Sequence, residues 1–154
     1  MENYLYFRTQ ATIGSDDDIA QSAMFAVSNF RGCYPISAST LKLHFRSVFL
    51  DSAATSRVIQ NDTNLEVASI MVQHDHDIRT DTVILNVTAN KHKEVMQALA
   101  NTMTQSQAGF INVADDLTGS TSYLHANITA CGAITIQTAG TVGAPTLVAV
   151  STGW

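Results

Sequence analysis

One stretch, Thr82 to Asp116 (TVILNVTANKHKEVMQALANTMTQSQAGFINVADD), constrains the fold more than any other. It carries the one strong helix signal of the chain, with a strand signal on each side. In Thr82 to Thr88, apolar Val83, Leu85 and Val87 alternate with Thr82, Ile84 and Asn86, which predicts a strand. Asn90 stands where a capping side chain belongs, and the helix is predicted from about residue 90 to about residue 105. Val95, Met96, Leu99 and Met103 recur at three- and four-residue spacing, with Ala98 and Ala100 beside them, so one stripe should pack on a sheet. Gly109 ends this unit, and Phe110 to Ala114 returns as a strand closed by Asp115 and Asp116. Lys91, His92 and Lys93 in the first turn oppose the helix dipole, and only Glu94 complements it. Exposed lysines tolerated at this end are the simpler account; an anionic neighbour is the other, and Lys91 and Lys93 mark the end expected to face something outside.

The rest of the chain reads as strand and turn. Residues 4 to 13 (YLYFRTQATI) predict a first strand, ended by the acidic turn Gly14-Ser15-Asp16-Asp17-Asp18. Residues 22 to 31 read as a short strand or extended segment, punctuated by Gly32 and Pro35. In Leu41 to Phe49, Leu41, Leu43 and Phe45 fall on one face and Lys42, His44 and Arg46 on the other, the pattern of a half-buried strand. Leu50 to Asn64 is polar and aperiodic, and either serves as a contact arm or holds a short strand around Val58 and Ile59. Leu65 to Val72 predicts a strand, as do Tyr123 to Ala130 and Ala133 to Thr138, the last two joined around Cys131-Gly132. The expected fold is α+β: one domain over residues 1–154, mostly an antiparallel β sandwich or barrel with one helix packed on the sheet. Residues from about 139 to 154 are expected to form an extended C-terminal arm, with Leu147 to Val150 able to add a strand and Trp154 to dock on a neighbour.

Composition narrows the partners. The formal net charge is -5 and only 8 residues are Lys or Arg, which disfavours nucleic acid and anionic membranes as partners. Charged residues make up 14% of the chain, well below the usual quarter or so. A surface so poor in charge suits docking on neighbours, because a buried charge is costly unless paired; a weakly charged β domain with no such role fits the composition equally. MENYLYFRTQ lacks the basic start and apolar core of a secretory signal, and no apolar run approaches membrane-spanning length. Cys33 and Cys131 match no zinc or redox spacing and are expected as buried free thiols.

Residues that could carry chemistry are few. In Gln73-His74-Asp75-His76-Asp77, His74 and His76 project to one side of an extended backbone and could share a metal such as zinc. Two ligands do not make a site, and His44, His92 or His125 would have to converge on them; a polar loop is the simpler reading. Asp16, Asp17 and Asp18 lack the spaced oxygens and distal Glu of a calcium loop, so a solvated loop is expected. Asp115 and Asp116 are adjacent on a strand and point to opposite faces, which places them poorly to act on one bond. No Gly-x-Ser-x-Gly elbow and no glycine-rich phosphate loop occurs. No cofactor is expected.

The opening NYLYFRTQATI with its acidic turn, the stretch SAMFAVSNFRGCYP, and TVILNVTANKHKEVMQALANTM followed by GFINVADD and YLHANITAC resemble small virion structural proteins of marine tailed bacteriophages, the cyanophage type in particular. The resemblance spans most of residues 3 to 132 and carries no catalytic signature. It implies a decoration or knob-like protein that adheres to the major capsid protein or other virion proteins on the capsid exterior, without catalysis. It supplies no functional residues. Contacts are expected from Asp16, Asp17 and Asp18, from Arg57 in the long polar segment, from Lys91 and Lys93, and from Trp154. A tail, neck or head-completion component forming rings is the alternative, a surface carbohydrate-binding module a third, and a hydrolase using His74, Asp75 and His76 a fourth. Homo-oligomerisation is open on each.

Overall fold

Alternation of apolar and polar residues decides which side of each strand turns inward, and in this chain it builds two sheets with one shared interior. The computed structural model describes residues 2–48, 80–105 and 109–137. In chain order the elements are β1 (Tyr4–Arg8), β2 (Ser22–Ala26), a short 3-10 turn (Val27–Asn29), β3 (Phe30–Ser37), β4 (Thr40–Arg46), β5 (Thr80–Val87), α1 (His92–Gln105), β6 (Phe110–Asp115), β7 (Ser122–Tyr123) and β8 (Ile128–Thr135). The first sheet has the order β2-β1-β6-β7 and the second β3-β4-β5-β8. All neighbours are antiparallel except β1 and β6, which run parallel with Tyr4 opposite Phe110. A parallel pair needs a long crossover. Here that crossover includes the strands β3, β4 and β5 and the helix.

Among the described residues both sheets are open, and the fold there is a sandwich with one helix and not a closed barrel. Leu5, Phe7, Phe25, Ile111 and Val113 from the first sheet share one core with Leu41, Leu43, Phe45, Val83, Leu85, Val87, Ile128, Cys131 and Ile134 from the second. Aromatic rings join the two layers: Phe25 stacks on Phe45 with centroids 4.2 Å apart, and Phe7 meets Phe45 edge-on at 5.8 Å. Each of these rings is 1% exposed or less, so truncating one to Ala should cost about 3–5 kcal/mol.

In chain order the helix connects β5 of one sheet to β6 of the other, and it buries Val95 and Leu99 in the same core, with Met96 and Met103 packed against it. That is the stripe read from the sequence. Its start differs from expectation. Asn90 has φ 63°, a left-handed conformation, and a capping residue needs extended backbone. Lys91 occupies the cap position, its carbonyl accepting from the Val95 N–H at 3.3 Å, while the Asn90 N–H donates to the Ala38 carbonyl. Asn tolerates the left-handed region better than most residues, so Asn90 turns the chain after β5 instead of capping the helix.

Three other expectations are corrected. The first strand ends at Arg8, not near residue 13, because the Arg8 guanidinium donates to the carbonyls of Gln10 and Thr12 and curls the following chain around itself. Residues 22 to 31 divide into β2, the 3-10 turn and the start of β3. The two strands expected around Cys131-Gly132 are a single strand, β8, preceded by a turn in which the Ile128 N–H donates to the His125 carbonyl. Gly132 lies where the β5–β8 register shifts, and a Cβ there would stand 2.8 Å from the Ile84 carbonyl oxygen. Glycine thus permits close approach of two backbones at a bulge, where the sequence suggested a turn. The expected strand Leu65 to Val72, the segment Leu50 to Asn64 and the C-terminal arm lie outside the described residues.

Candidate functional site

The densest set of polar groups gathers where β1 and β6 end side by side, with Arg8 opposite Asp115. Arg8 is 6% exposed, and its guanidinium donates to Asp16 Oδ2 at 2.6 Å, to the Thr12 carbonyl at 2.7 Å and to the Gln10 carbonyl at 3.0 Å. Asp115 Oδ1 lies 3.9 Å from Arg8 Nε and accepts from the Leu117 N–H at 3.0 Å. Asp116 accepts the Tyr123 hydroxyl at 2.8 Å and the Cys131 N–H at 3.0 and 3.1 Å on its two oxygens. Since Asp116 follows a strand of the first sheet and Cys131 lies in the second, this carboxylate straps the two sheets together. Asp81 does similar work elsewhere. It is fully buried and accepts from the Val48 N–H at 2.7 Å and from the Gln137 N–H at 2.9 Å.

Two groups of this cluster are held well above their ordinary range. The Tyr123 hydroxyl is pushed up to about 12, first by burial and then by the Asp116 carboxylate that accepts its proton. The Cys131 thiol is likewise pushed up to about 12 by burial and then by Asp116. Groups so raised hold their protons at neutral pH, whereas a reactive thiol needs a lowered pKa and a general base one near the working pH. Cys131 and Cys33 are both free, Cys131 buried and Cys33 half-buried, and burial raises the Cys33 thiol as well.

The two outward faces of the sandwich differ in kind. On the second sheet, Lys42, His44 and Arg46 alternate with the core residues of β4 as the sequence predicts. Tyr34 stacks on the His44 ring at 5.2 Å, and burial followed by the charge of Lys42 lowers the His44 pKa. On the first sheet, Tyr4, Tyr6, Met24, Ala26, Phe110 and Asn112 face outward at one end, and the same alternation places Arg8, Ser22 and Asp115 at the other. Tyr4, Met24 and Phe110 are 39%, 50% and 53% exposed, and the Tyr6 and Phe110 rings lie 5.2 Å apart. None of the first six carries a charge. The Asn112 Oδ1 atom at this face is buried with no hydrogen-bond partner among the described residues. A contiguous aromatic surface of this sort is the usual signature of a binding face.

The residues singled out by sequence are scattered. Asp16 is held by Arg8, Asp17 is exposed, and Asp18 accepts the Ala20 N–H at 2.9 Å within its own turn. Lys91 pairs with Glu94 at 2.8 Å, and Glu94 also accepts from the Asn127 amide, so the first turn is balanced locally. The Lys91 contact and its hydrogen bond hold the Glu94 carboxyl below its usual range. Lys93 is exposed. Arg57, His74, His76 and Trp154 lie outside the described residues. The other histidines have separate tasks: His44 Nδ1 contacts Thr80 Oγ1, His92 Nε2 contacts the Thr40 carbonyl, and His125 Nδ1 accepts the Asn127 N–H. Among the described residues no group of three or more His, Cys, Asp or Glu is placed to hold a metal ion, and no helix is long and apolar enough to cross a membrane. Sequence reasoning missed the aromatic face. Its signal was present in Tyr4 and Tyr6, which alternate with the core residues Leu5 and Phe7.

A scan against family models finds no match to this chain, and searches among curated proteins and solved structures find none either.

Proposed function

We propose that this chain is a non-enzymatic virion structural protein that decorates or cements the exterior of an icosahedral phage capsid, with the major capsid protein or another virion protein as its partner. The observation that carries the reading is the uncharged end of the outer face of the first sheet, where Tyr4, Tyr6, Met24 and Phe110 offer apolar surface to a neighbour. Burying such a face against a coat subunit desolvates no charge and gains about 25 cal/mol for each Å² of apolar area covered. The acids that could have suggested catalysis, Asp81, Asp115 and Asp116, accept backbone N–H groups and hold the fold. This use of carboxylates favours a docking module over a hydrolase.

The test is protein composition of particles from the encoding phage, combined with binding of face variants to particles that lack the protein. Tyr6→Lys and Phe110→Lys should fold normally and lose occupancy, while Lys93→Ala should bind as the native chain does. Absence of the protein from purified particles overturns the reading. So does binding that survives both lysine substitutions. Retention on a glycan array through the same face would replace it with the carbohydrate-binding alternative.

A further inference from the structure

Each open sheet ends in strands whose outer N–H and C=O groups need a partner or a device that discourages one. Three of the four edges here carry such a device. β7 is two residues long. β3 is interrupted by register shifts at Gly32 and after Pro35, and Pro35 has no N–H to offer. On β8 the Cys131 N–H is taken by Asp116, and just beyond the strand the Gln137 N–H is taken by Asp81.

The fourth edge, β2, carries no such device among the described residues. Ser22-Ala23-Met24-Phe25-Ala26 contains no proline, glycine or charge and pairs with β1 in unbroken register. Its hydrogen-bond phase follows from the flanking bonds: the Thr9 N–H donates to the Gln21 carbonyl and the Val27 N–H to the Asn3 carbonyl, both at 2.9 Å. With a period of two, Ala23 and Phe25 also turn their backbone groups toward β1, and Ser22, Met24 and Ala26 turn theirs away. The Ser22 N–H is satisfied by the Asp18 carbonyl. Met24 therefore presents a free N–H and C=O and Ala26 a free N–H, with no partner among the described residues, while the Ala26 carbonyl opens the 3-10 turn.

We propose that β2 is a self-association edge, pairing antiparallel with β2 of a second copy about a two-fold axis at Met24. Met24 then exchanges both hydrogen bonds with Met24 of the second copy, and each Ala26 N–H donates to the carbonyl of Ser22 across the axis. The choice of a second copy rests on charge and on continuity. The whole chain carries -5, yet nothing between Ser22 and Ala26 is charged, so the axis brings no like charges together. The apolar surface of the first sheet also runs to this edge, since Tyr6 is opposite Met24 and Tyr4 opposite Ala26. Pairing across the axis joins two aromatic stripes into one continuous face on an extended sheet. A five-residue edge covers less than the about 800 Å² per partner of a stable interface, so the dimer is weak and concentration-dependent. This goes beyond the capsid reading and stands or falls apart from it, because it is read in solution without particles.

The experiment is sedimentation equilibrium of the full chain from about 1 μM to about 1 mM, a range that brackets weak association. The native chain should shift from monomer to dimer mass. Met24→Lys and Met24→Glu each place like charges directly opposite one another on the axis and should weaken association about tenfold or more. Met24 is half-exposed on the outer face, so both variants should keep the native circular dichroism spectrum and urea midpoint. An equimolar mixture of the lysine and glutamate variants should recover the dimer, because opposite charges then meet. A native chain that stays monomeric throughout overturns the proposal, as do single variants that dimerise like the native chain or a mixture that fails to recover.

Discussion

Replacing Asp116 with Ala separates a structural carboxylate from a catalytic one. In the native chain Asp116 accepts the Tyr123 hydroxyl and the Cys131 N–H, and a hydrogen bond to a charged acceptor is worth about 1.5–3 kcal/mol. Cys131 is 5% exposed, so its N–H would lose its partner with little water to replace it. Tyr123 is only partly buried and can turn to solvent, which reduces its share. Together these give a loss of about 2–4 kcal/mol for Asp116→Ala. Asp116→Asn keeps one oxygen for the Cys131 N–H and should lose about 1–2 kcal/mol. Urea unfolding followed by circular dichroism reads the difference: with a slope of about 2 kcal/mol per molar, the midpoint should fall by about 1–2 M for Ala. Adding Tyr123→Phe to Asp116→Ala should cost less than the sum of the two, since both remove the same bond. A catalytic carboxylate behaves differently, because removing one often leaves stability unchanged or higher. A midpoint for Asp116→Ala within about 0.3 M of the native value, or strictly additive double-variant losses, would refute the strap.

Two further predictions follow from the same packing. Gly132→Ala places a methyl group 2.8 Å from the Ile84 carbonyl oxygen, so β5 and β8 must separate locally and stability should fall by about 1–3 kcal/mol in the same urea assay, whereas Ala133→Gly should cost less. At high pH the protonated forms of Tyr123 and Cys131 are the ones the fold favours, their pKa values rising from 10.0 and 9.0 to about 12. Folding therefore holds these protons more tightly than the unfolded chain does. The associated stability is complete below the unfolded values of 9.0 and 10.0 and is lost as the pH rises toward about 12. Ultraviolet titration should show tyrosinate from Tyr123 only near the alkaline unfolding transition, and Tyr123→Phe should move that transition to higher pH; a normal phenol titration for Tyr123 in the folded chain would contradict this.

The sequence revealed the sandwich and the helix stripe because burial imposes a period. Leu41, Leu43 and Phe45 repeat every second residue and Val95 and Leu99 every fourth, and both sets are buried. Period alone does not name neighbours. That β1 lies parallel to β6, with Tyr4 opposite Phe110, depends on contacts far apart in the chain, which no local pattern encodes. Gly132 read as a turn because glycine marks both turns and close backbone approach, and only the position of Ile84 distinguishes them. Asp116 read as a turn residue because charged groups are usually solvated, and no sequence pattern singled out Arg8 or Asp81; the burial of Arg8 and Asp81 accompanies the backbone groups they satisfy. The aromatic face was not legible because Tyr4, Tyr6, Met24 and Phe110 come from three strands and meet only in the sheet.

In the proposed role, the outer face of the first sheet seats this protein on a capsid exterior. Cryo-electron microscopy of intact particles carrying the protein tests this proposal most directly. The prediction is density for the sandwich on the outside of the shell, with Tyr4, Tyr6, Met24 and Phe110 turned toward a neighbouring virion protein and Lys42 and Arg46 toward solvent. Density inside the tail channel, or a capsid-bound sandwich resting on its Lys42–Arg46 face, would contradict it.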